Sequence, residues 1–284
     1  MVNEATEKNK HEHSEGVNTP SGGRIVFAIL IILITSFNKV NAEDYSNYSS
    51  NECLNNVDCV WEAFVKLVAN ESDEIVNSDK TFSGIVKWNK TINVKTFGNP
   101  DKKQQDEFRY YLNKFAKITN SKVKYNQRKA INYLVFYSDN IEKDILVTYS
   151  NILLKASDGN SNLINSLYNS YNDSSDCILN IRHDYEMGGI ILFLPEKYSN
   201  KNSIICTQKN VYLSFGIDIT KENLSYSSLD QDKNEKITIL DQLLLRILYN
   251  PKLKAGMRAS EIKVFFNEIY NEEINNIDNW RVIL

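Results

Sequence analysis

The sequence GIILFL, residues 189–194, is a short uninterrupted run of apolar residues that ends at Pro195. Runs of this length are typical of a strand buried on both faces, and proline does not occur inside a central strand. A second apolar stretch, CILNI at 177–181, lies shortly before it, and the polar residues 182–185 separate the two. The two stretches therefore predict a pair of buried strands.

Working outward from this pair, strand-like and helix-like patterns alternate along the chain. Strand or hairpin patterning covers three stretches, 85–97, 122–125 and 131–137. Apolar residues recur at helical spacing over five stretches: 57–68, Lys102–Ile118, 206–216, 238–249 and 259–270. The pattern of 140–154 is ambiguous, and we favour a helix there. No linker rich in glycine, proline or serine divides this part of the chain, and no internal repeat is visible. We expect an α+β fold: a single compact domain with a mixed sheet, helices and one core.

Composition places the chain among globular proteins. Its 284 residues carry a net charge of −3 and are 42% hydrophobic, which is sufficient for one large domain. A protein that holds a phosphate backbone needs an excess of basic residues, and the overall charge shows none. We therefore expect no nucleic-acid partner.

The N-terminal part carries an export signal. A polar lead ends at Arg24 and is followed by IVFAILIILITSF at 25–37, which is shorter than the roughly 20 residues that cross a membrane comfortably. Val40 and Ala42 then form a small-residue cleavage site before Glu43. We expect a signal peptide over 1–42, a flexible segment with a first disulfide over 43–56, and one domain over 57–284. The alternative is an uncleaved membrane anchor. Both readings place the domain in a secreted or periplasmic location.

Cysteine positions agree with export. All four cysteines lie beyond the cleavage site, at Cys53, Cys59, Cys177 and Cys206. An even number in an exported chain indicates two disulfides, with three possible connectivities. We favour a local pair, Cys53–Cys59, and a longer one, Cys177–Cys206, worth about 3 kcal/mol in the chain-entropy model. A zinc site built from the four thiolates would need a Cys-x-x-Cys pair, which the chain lacks.

Two segments carry a family resemblance. CTQKNVYLSFGID at 206–218 runs along an apolar helical face and stops at a glycine, and ITILDQLLLRILYNPKLKAGM follows at 237–257. This order is similar to the tail of metzincin peptidases, in which a glycine ends the zinc-binding helix. More closely, it resembles a family of exported bacterial proteins of unknown function. That family pairs two cysteines around a strand and carries a segment close to LT-x-x-D-x-x-LL-x-x-LY-D-P-x-L-x-x-GM. The resemblance covers 177–262 and implies a zincin-like core.

The ligands of a zinc peptidase are missing from this helix. Such a helix uses two histidines four residues apart, with a glutamate beside the first as general base. Aligned on Gly216, these three positions hold Lys209, Leu213 and Asn210, respectively, and none can replace the original group. Two of the three histidines, His11 and His13, precede the cleavage site, so the exported chain keeps only His183. We therefore expect no metal, no cofactor and a degenerate metallopeptidase core.

Two weaker candidate sites remain. Asp230, Asp232, Asn234 and Asp241 occupy positions one, three, five and twelve of a calcium-loop register, although the turn position holds Glu235 instead of glycine. Asp241 is explained better as a capping carboxylate of the following helix. His183 precedes Asp184, but no serine-nucleophile motif accompanies the pair, and all cysteines are expected to be oxidised. We interpret His183 as a locally hydrogen-bonded loop residue.

Three functions follow from these observations. The favoured one is a non-catalytic binding or structural module outside the cytoplasm, with an unknown protein or envelope component as its partner. In this reading the membrane is contacted only through the N-terminal segment, if that segment is retained. The alternatives are a hydrolase acting on protein or cell-wall glycopeptide through an unrecognised site, and a surface protein stabilised by calcium at Asp230 to Asp241.

Overall fold

Five strands form one mixed sheet in the order β2-β1-β3-β5-β4 in the computed structural model of the chain. The strands are β1 (Ile92–Phe97), β2 (Val123–Lys124), β3 (Tyr133–Tyr137), β4 (Ile178–His183) and β5 (Met187–Leu194). The structure describes residues 49–69, 84–126, 128–156, 162–173, 177–183, 187–197, 201–217 and 237–281. Residues Tyr45–Leu284 form a single compact unit, so the expected single compact domain with a mixed sheet and helices is confirmed.

The stretch 189–194 forms the last six of the eight residues of β5, and its side chains from Ile190 onward are buried on both faces of the sheet, as predicted. β5 pairs in parallel with β3 on one side and antiparallel with β4 on the other. β1 pairs in parallel with both β3 and β2. Within the described ranges, β2 and β4 are therefore the two edges of the sheet.

Helices supply the rest of the fold. They are α1 (Ser50–Leu54), α2 (Val57–Phe64), α3 (Lys102–Ile118), α4 (Ile141–Lys143), α5 (Ser150–Ala156), α6 (Asn162–Asp173), α7 (Lys201–Leu213), α8 (Ile239–Leu248), α9 (Ala259–Asn275) and α10 (Ile277–Trp280). Short π-helical segments extend α2 over Val65–Ala69 and α4 over Asp144–Thr148. No helix in the described part of the chain is long and apolar enough to span a bilayer. The predicted export segment, 25–37, lies outside the described residues.

The larger hydrophobic core covers one face of the sheet. Side chains of α3, α7, α8 and α9 pack there against β1, β3 and β5, with Phe115 of α3 in ring contact with Tyr212 and Phe215. A smaller core lies on the other face under α4, α5 and α6. Its centre is a row of stacked rings, Phe97 from β1, Phe136 from β3 and Phe193 from β5. The sheet is therefore buried on both faces.

Two disulfides lie where the cysteine spacing favours them. Cys53 pairs with Cys59, joining α1 to α2 with Cα atoms 5.2 Å apart. Cys177 pairs with Cys206, joining the residue before β4 to the middle of α7 with Cα atoms 6.1 Å apart. Both distances fall in the range that a disulfide requires. The second bond holds α7 beside the edge of the sheet.

Several elements differ from the sequence-based expectation. Only the second half of 85–97 is a strand, because Lys87 and Trp88 are drawn to distant partners described below. Helix α7 begins at Lys201, before Cys206, and α6 occupies a stretch for which the sequence predicts no element. Helix α1 lies inside the segment expected to be flexible, where Ser49 and Glu52 form a capping box at its start. Within the described residues, the structure thus adds three helices to the predicted set: α1, α6 and the short α10 (Ile277–Trp280).

Candidate functional site

Helix α7 is the element on which a zincin-like site would be built. It follows β5 along the chain, lies against α3, and is tied by Cys206 to the start of β4. Thr207 of α7 is fully buried, and its hydroxyl accepts a hydrogen bond from the side-chain amide of Gln104 in α3 at 3.1 Å. One side of α7 is therefore anchored to α3, and the cysteine-bearing side borders the edge of the sheet.

The three positions aligned with zinc-peptidase ligands lie on this helix at intermediate exposure. Leu213 packs against the larger hydrophobic core. The Asn210 side-chain amide donates to the Cys206 carbonyl oxygen at 2.9 Å, so it is bound within its own helix. Lys209 is half-buried, and this burial lowers the pKa of its ammonium group. No other described side chain forms a hydrogen bond or ion pair with Lys209. The three side chains present one cation and no metal-binding carboxylate or imidazole.

The end of α7 is held by buried polar side chains. Trp88 donates its indole N–H to the Ser214 carbonyl oxygen at 2.9 Å, and the Tyr133 hydroxyl donates to the Ser214 hydroxyl at 3.0 Å. The Tyr249 hydroxyl donates to the Phe215 carbonyl oxygen at 3.0 Å. Gly216 follows with φ of 98°, and a Cβ there would overlap the carbonyl oxygen of Val86. The glycine is thus required by both backbone conformation and space.

The two ends of the segment that resembles LT-x-x-D…GM have structural roles. At its start, Thr238 and Asp241 form a capping box on α8, with the Asp241 carboxylate accepting from the Thr238 N–H at 2.9 Å. At its end, the Gly256 N–H donates to the Ile85 carbonyl oxygen at 2.8 Å, and the Ile85 N–H donates to the Met257 carbonyl oxygen at 2.9 Å. The segment therefore caps the start of α8 and binds the stretch before β1 through backbone hydrogen bonds.

Between these points, a buried lysine occupies the C-terminal end of α8. The Lys87 ammonium group donates to the carbonyl oxygens of Leu248, Asn250 and Leu253 at 3.2, 3.4 and 2.5 Å. The side chain is only 7% exposed, and burial lowers its pKa to about 8. A cation at a helix C-terminus satisfies free carbonyl groups and opposes the helix dipole. Lys87 is therefore a structural cap that sequence reasoning missed.

The outer edge of β4 directs backbone groups away from the described sheet. Ile190 donates to Asn132 and Leu194 accepts from Ser138, so these β5 residues direct their backbone groups towards β3 and its neighbouring residues. The residues between and beside them, Ile191 and Phe193, therefore direct their backbone groups towards β4. The register places these two residues opposite Asn180 and Ile178, respectively. Consequently the N–H and C=O groups of Leu179 and Ile181 point away from the sheet. No described strand pairs with them.

The remaining predicted site residues are only partly covered by the described part of the chain. Asp230, Asp232 and Asn234 lie outside the described residues, whereas Asp241 is fully buried in its capping box. His183 is the last residue of β4, at an irregularity in the pairing with β5, rather than in the loop. Among the described residues, no three His, Cys, Asp or Glu side chains are grouped as a metal site would require.

A polar cavity of about 360 Å³ lies where three helices meet. Its lining residues come from the end of α3, from α8 and from the end of α9 onward: Lys117, Asn120, Arg246, Glu272, Glu273, Asn276 and Asn279. Arg246 and Glu273 form a bidentate pair across it, with nitrogen–oxygen distances of 2.9 and 3.3 Å. Because Arg246 and Glu273 pair with each other, we interpret these two charged groups as part of the packing between helices.

Comparison with known protein families matches residues 60–268 to the family described as "Protein of unknown function (DUF2927)", and the chain belongs to that family. The match runs from α2 into α9, so it includes the whole sheet, α7 and the capped helix α8. No curated protein and no solved structure matches the chain. The predicted membership of a family of unknown function is thereby confirmed.

Proposed function

We propose that this protein is an exported, non-catalytic binding module with a metal-free, zincin-like core, and that it holds an extended polypeptide along β4. The observation that carries the proposal is the composition of α7. Lys209, Asn210 and Leu213 stand where a zinc peptidase needs two imidazoles and a carboxylate. A protonated lysine repels a metal ion, and neither leucine nor asparagine can act as a general base.

The zincin-like reading is supported by the placement of α7. The helix follows a buried strand of a mixed sheet, packs against a second helix and ends at a glycine with positive φ, as the helix of a zinc peptidase ends at a glycine. The export reading is supported by the two disulfides, because such bonds persist in oxidising compartments. Together these features favour a peptidase scaffold used for binding outside the cytoplasm.

The binding mode follows from the edge of the sheet. Leu179 and Ile181 direct backbone donors and acceptors outward from β4. An extended peptide can add to such an edge as a further strand, and main-chain hydrogen bonds then supply much of the affinity. Lys209 lies one helical turn from Cys206, whose disulfide fixes the start of β4. No described side chain pairs with its ammonium group, which suits a peptide carboxylate.

Proline at position 179 tests this mode. Leu179→Pro removes an outward donor but none of the bonds between β4 and β5, and Leu179→Ala is the control for the lost side chain. An array of short random peptides, probed with the full chain, should show binding that Leu179→Pro weakens at least tenfold and Leu179→Ala weakens much less. Equal binding by the two variants and the wild type would refute strand addition at β4.

Metal content tests the non-catalytic reading. Elemental analysis of the purified chain should find zinc well below one equivalent, and added zinc should not raise the melting temperature. A stoichiometric zinc signal that survives dialysis would favour the hydrolase alternative over the non-catalytic binding module. That result would leave the β4 experiment to be judged separately, since peptidases also bind extended chains.

A further inference from the structure

The near-neutral overall charge conceals a strongly basic region. Residues 84–132 contain twelve lysine and arginine residues and only three acidic ones, in a chain whose net charge is −3. This stretch spans β1, α3, β2 and their connections. The rest of the chain is correspondingly acidic. Charge is therefore segregated along the sequence.

The fold gathers these residues at the β2 edge of the sheet. The Ile92 N–H donates to the Lys122 carbonyl oxygen at 2.8 Å, so Lys90 and Lys122 lie on adjacent segments. The Asn93 side chain, whose residue pairs with Lys124, also donates to the Ala130 carbonyl oxygen at 3.0 Å. That bond brings the preceding Arg128 and Lys129 to the same edge. We call Lys90, Lys122, Lys124, Arg128 and Lys129 the basic edge.

Helix α3 extends the basic edge around the side of the domain. The Tyr125 hydroxyl at the end of β2 donates to the Asn113 side chain at 2.8 Å, and the Arg109 guanidinium lies over the Tyr125 ring at 5.3 Å. Lys114 lies over the ring of Tyr110, which is 41% exposed. Cations and partly exposed aromatic rings therefore alternate on this surface.

The basic edge is exposed, and no acidic side chain in the described part of the chain neutralises it. All five of its residues are solvent-exposed, and none forms an ion pair with another described residue. The three acidic residues of this stretch, Asp101, Asp106 and Glu107, lie at the N-terminal cap and in the first half of α3. The positive charge is thus left free to meet an external partner.

The form of the surface indicates which polyanion it fits. Four of its five cations are lysines, which act as flexible point charges rather than as the bidentate forks that read phosphates individually. They are spread along a sheet edge rather than gathered in a cavity. Tyrosine side chains beside lysines are also enriched at the boundary between membrane and water. In the alternative in which the apolar segment at 25–37 is retained as an anchor, that segment holds the chain at the same membrane.

We propose that the basic edge docks the domain on a membrane surface that contains anionic phospholipids. A single weak membrane signal gives only reversible attachment, and a basic surface supplies the second signal that makes the attachment stable. Each basic residue near an anionic bilayer strengthens the attraction severalfold, and salt screens it over about 10 Å at 0.1 M. The attachment is therefore sensitive to both lipid charge and ionic strength.

Vesicle sedimentation with the full chain tests the proposal. The readout is the ratio of binding to vesicles containing phosphatidylglycerol over binding to pure phosphatidylcholine, which removes any contribution of the apolar segment. Lys122→Glu/Lys124→Glu/Lys129→Glu should lower this ratio by on the order of 100-fold. The matched control is Lys143→Glu/Lys155→Glu/Lys254→Glu, three exposed lysines elsewhere with the same charge change. It should lower the ratio less than tenfold.

Salt dependence gives a second readout on the unaltered protein. Raising sodium chloride from 50 to 500 mM should abolish the preference for anionic vesicles. The proposal is overturned if the wild type binds both vesicle types equally, or if the two triple variants lose binding to the same extent. It is also overturned if the chain binds duplex or single-stranded nucleic acid through the basic edge while ignoring anionic vesicles.

Discussion

Lys87 shows how one residue can join distant parts of the chain. It precedes β1, yet its ammonium group donates to three carbonyl oxygens at the end of α8, 161 to 166 residues away in sequence. Those oxygens belong to the last turn of a helix and to the turn after it, where backbone acceptors lack helical partners. The interaction therefore closes α8 and positions the approach to β1 at the same time.

Replacing Lys87 with methionine should destabilise the domain. The apolar side chain fills similar space but leaves three buried acceptors without a donor, which we expect to cost about 3 kcal/mol of unfolding free energy. Urea denaturation at pH 7 measures this loss. A cost below about 0.5 kcal/mol would show that water satisfies these carbonyl groups instead.

The same lysine should give stability a pH dependence. Its folded pKa of about 8 lies below the ordinary value of 10.5, so between these values the unfolded chain binds a proton that the folded chain has released. The free energy of unfolding should then rise with pH from 8 to 10.5, by at most about 1.4 kcal/mol per pH unit. This stability is lost as pH falls through 8. Denaturation of the wild type and Lys87→Met across this range isolates the effect, since only the wild type should show it.

At the level of secondary structure, α7 ends where Val86 passes closest to it. Gly216 adopts φ of 98°, and any side chain there would meet the Val86 carbonyl oxygen. The residues just before it receive hydrogen bonds from Trp88 and Tyr249. The end of α7 is therefore packed between the start of the sheet and α8, independently of any metal ligand.

Gly216→Ala should destabilise the protein by more than about 3 kcal/mol, because it adds a steric overlap to an unfavourable backbone conformation. Gly189→Ala is the matched control, since its Cβ would meet only the Asn132 carbonyl oxygen at an ordinary 3.5 Å. We expect a change within about 1 kcal/mol for the control. Thermal and urea unfolding of both variants provide the comparison, and equal losses would contradict this account.

The elements that could be predicted are those with local signals. Lys102–Ile118 was predicted with the bounds that the structure shows, because its apolar residues recur at helical spacing and Asp101 caps its first turn. Helix α6 was missed because its sequence is rich in asparagine and serine and offers few buried anchors, such as Leu167. The sequence predicts a strand for the stretch before β1 because its alternation is a local signal, whereas the partners of Lys87 and Trp88 lie far away in the sequence.

At the scale of the whole molecule, a buried ion pair joins three helices. Arg246 of α8 donates to the Ile118 carbonyl oxygen at the end of α3 and to the Glu273 carboxylate of α9. Asn250 donates to the same carboxylate at 3.4 Å. The Glu273 side chain is only 5% exposed, so its charge is stabilised almost entirely by these donors.

Glu273→Ala should cost about 3 kcal/mol of unfolding free energy, because it leaves the Arg246 guanidinium partly buried without its counterion. Glu272→Ala removes a neighbouring carboxylate that is 52% exposed and lies 3.5 Å from Lys252. The control should change stability by less than about 1 kcal/mol. Similar losses in the two variants, measured by urea denaturation, would show that the buried pair does not couple the helices.

The candidate site could be excluded from sequence more readily than it could be found. Lys209, Asn210 and Leu213 rule out a zinc-peptidase ligand set on residue identity alone. The outward backbone groups of Leu179 and the basic edge depend on strand order, which brings together residues far apart in the chain. No local pattern in a single sequence specifies which strands lie at the edges of a sheet.

The strand order also constrains when the domain can form. Tyr133 in the central strand pairs with Val94 on one side and Ile190 on the other. β3 therefore cannot pair with a strand on each side until β5 has been synthesised. Pairings between residues this far apart in sequence slow folding. A nascent chain of this kind stays open for most of its synthesis. That delay agrees with the export proposed above, in which a polypeptide passes through a translocation channel before it folds.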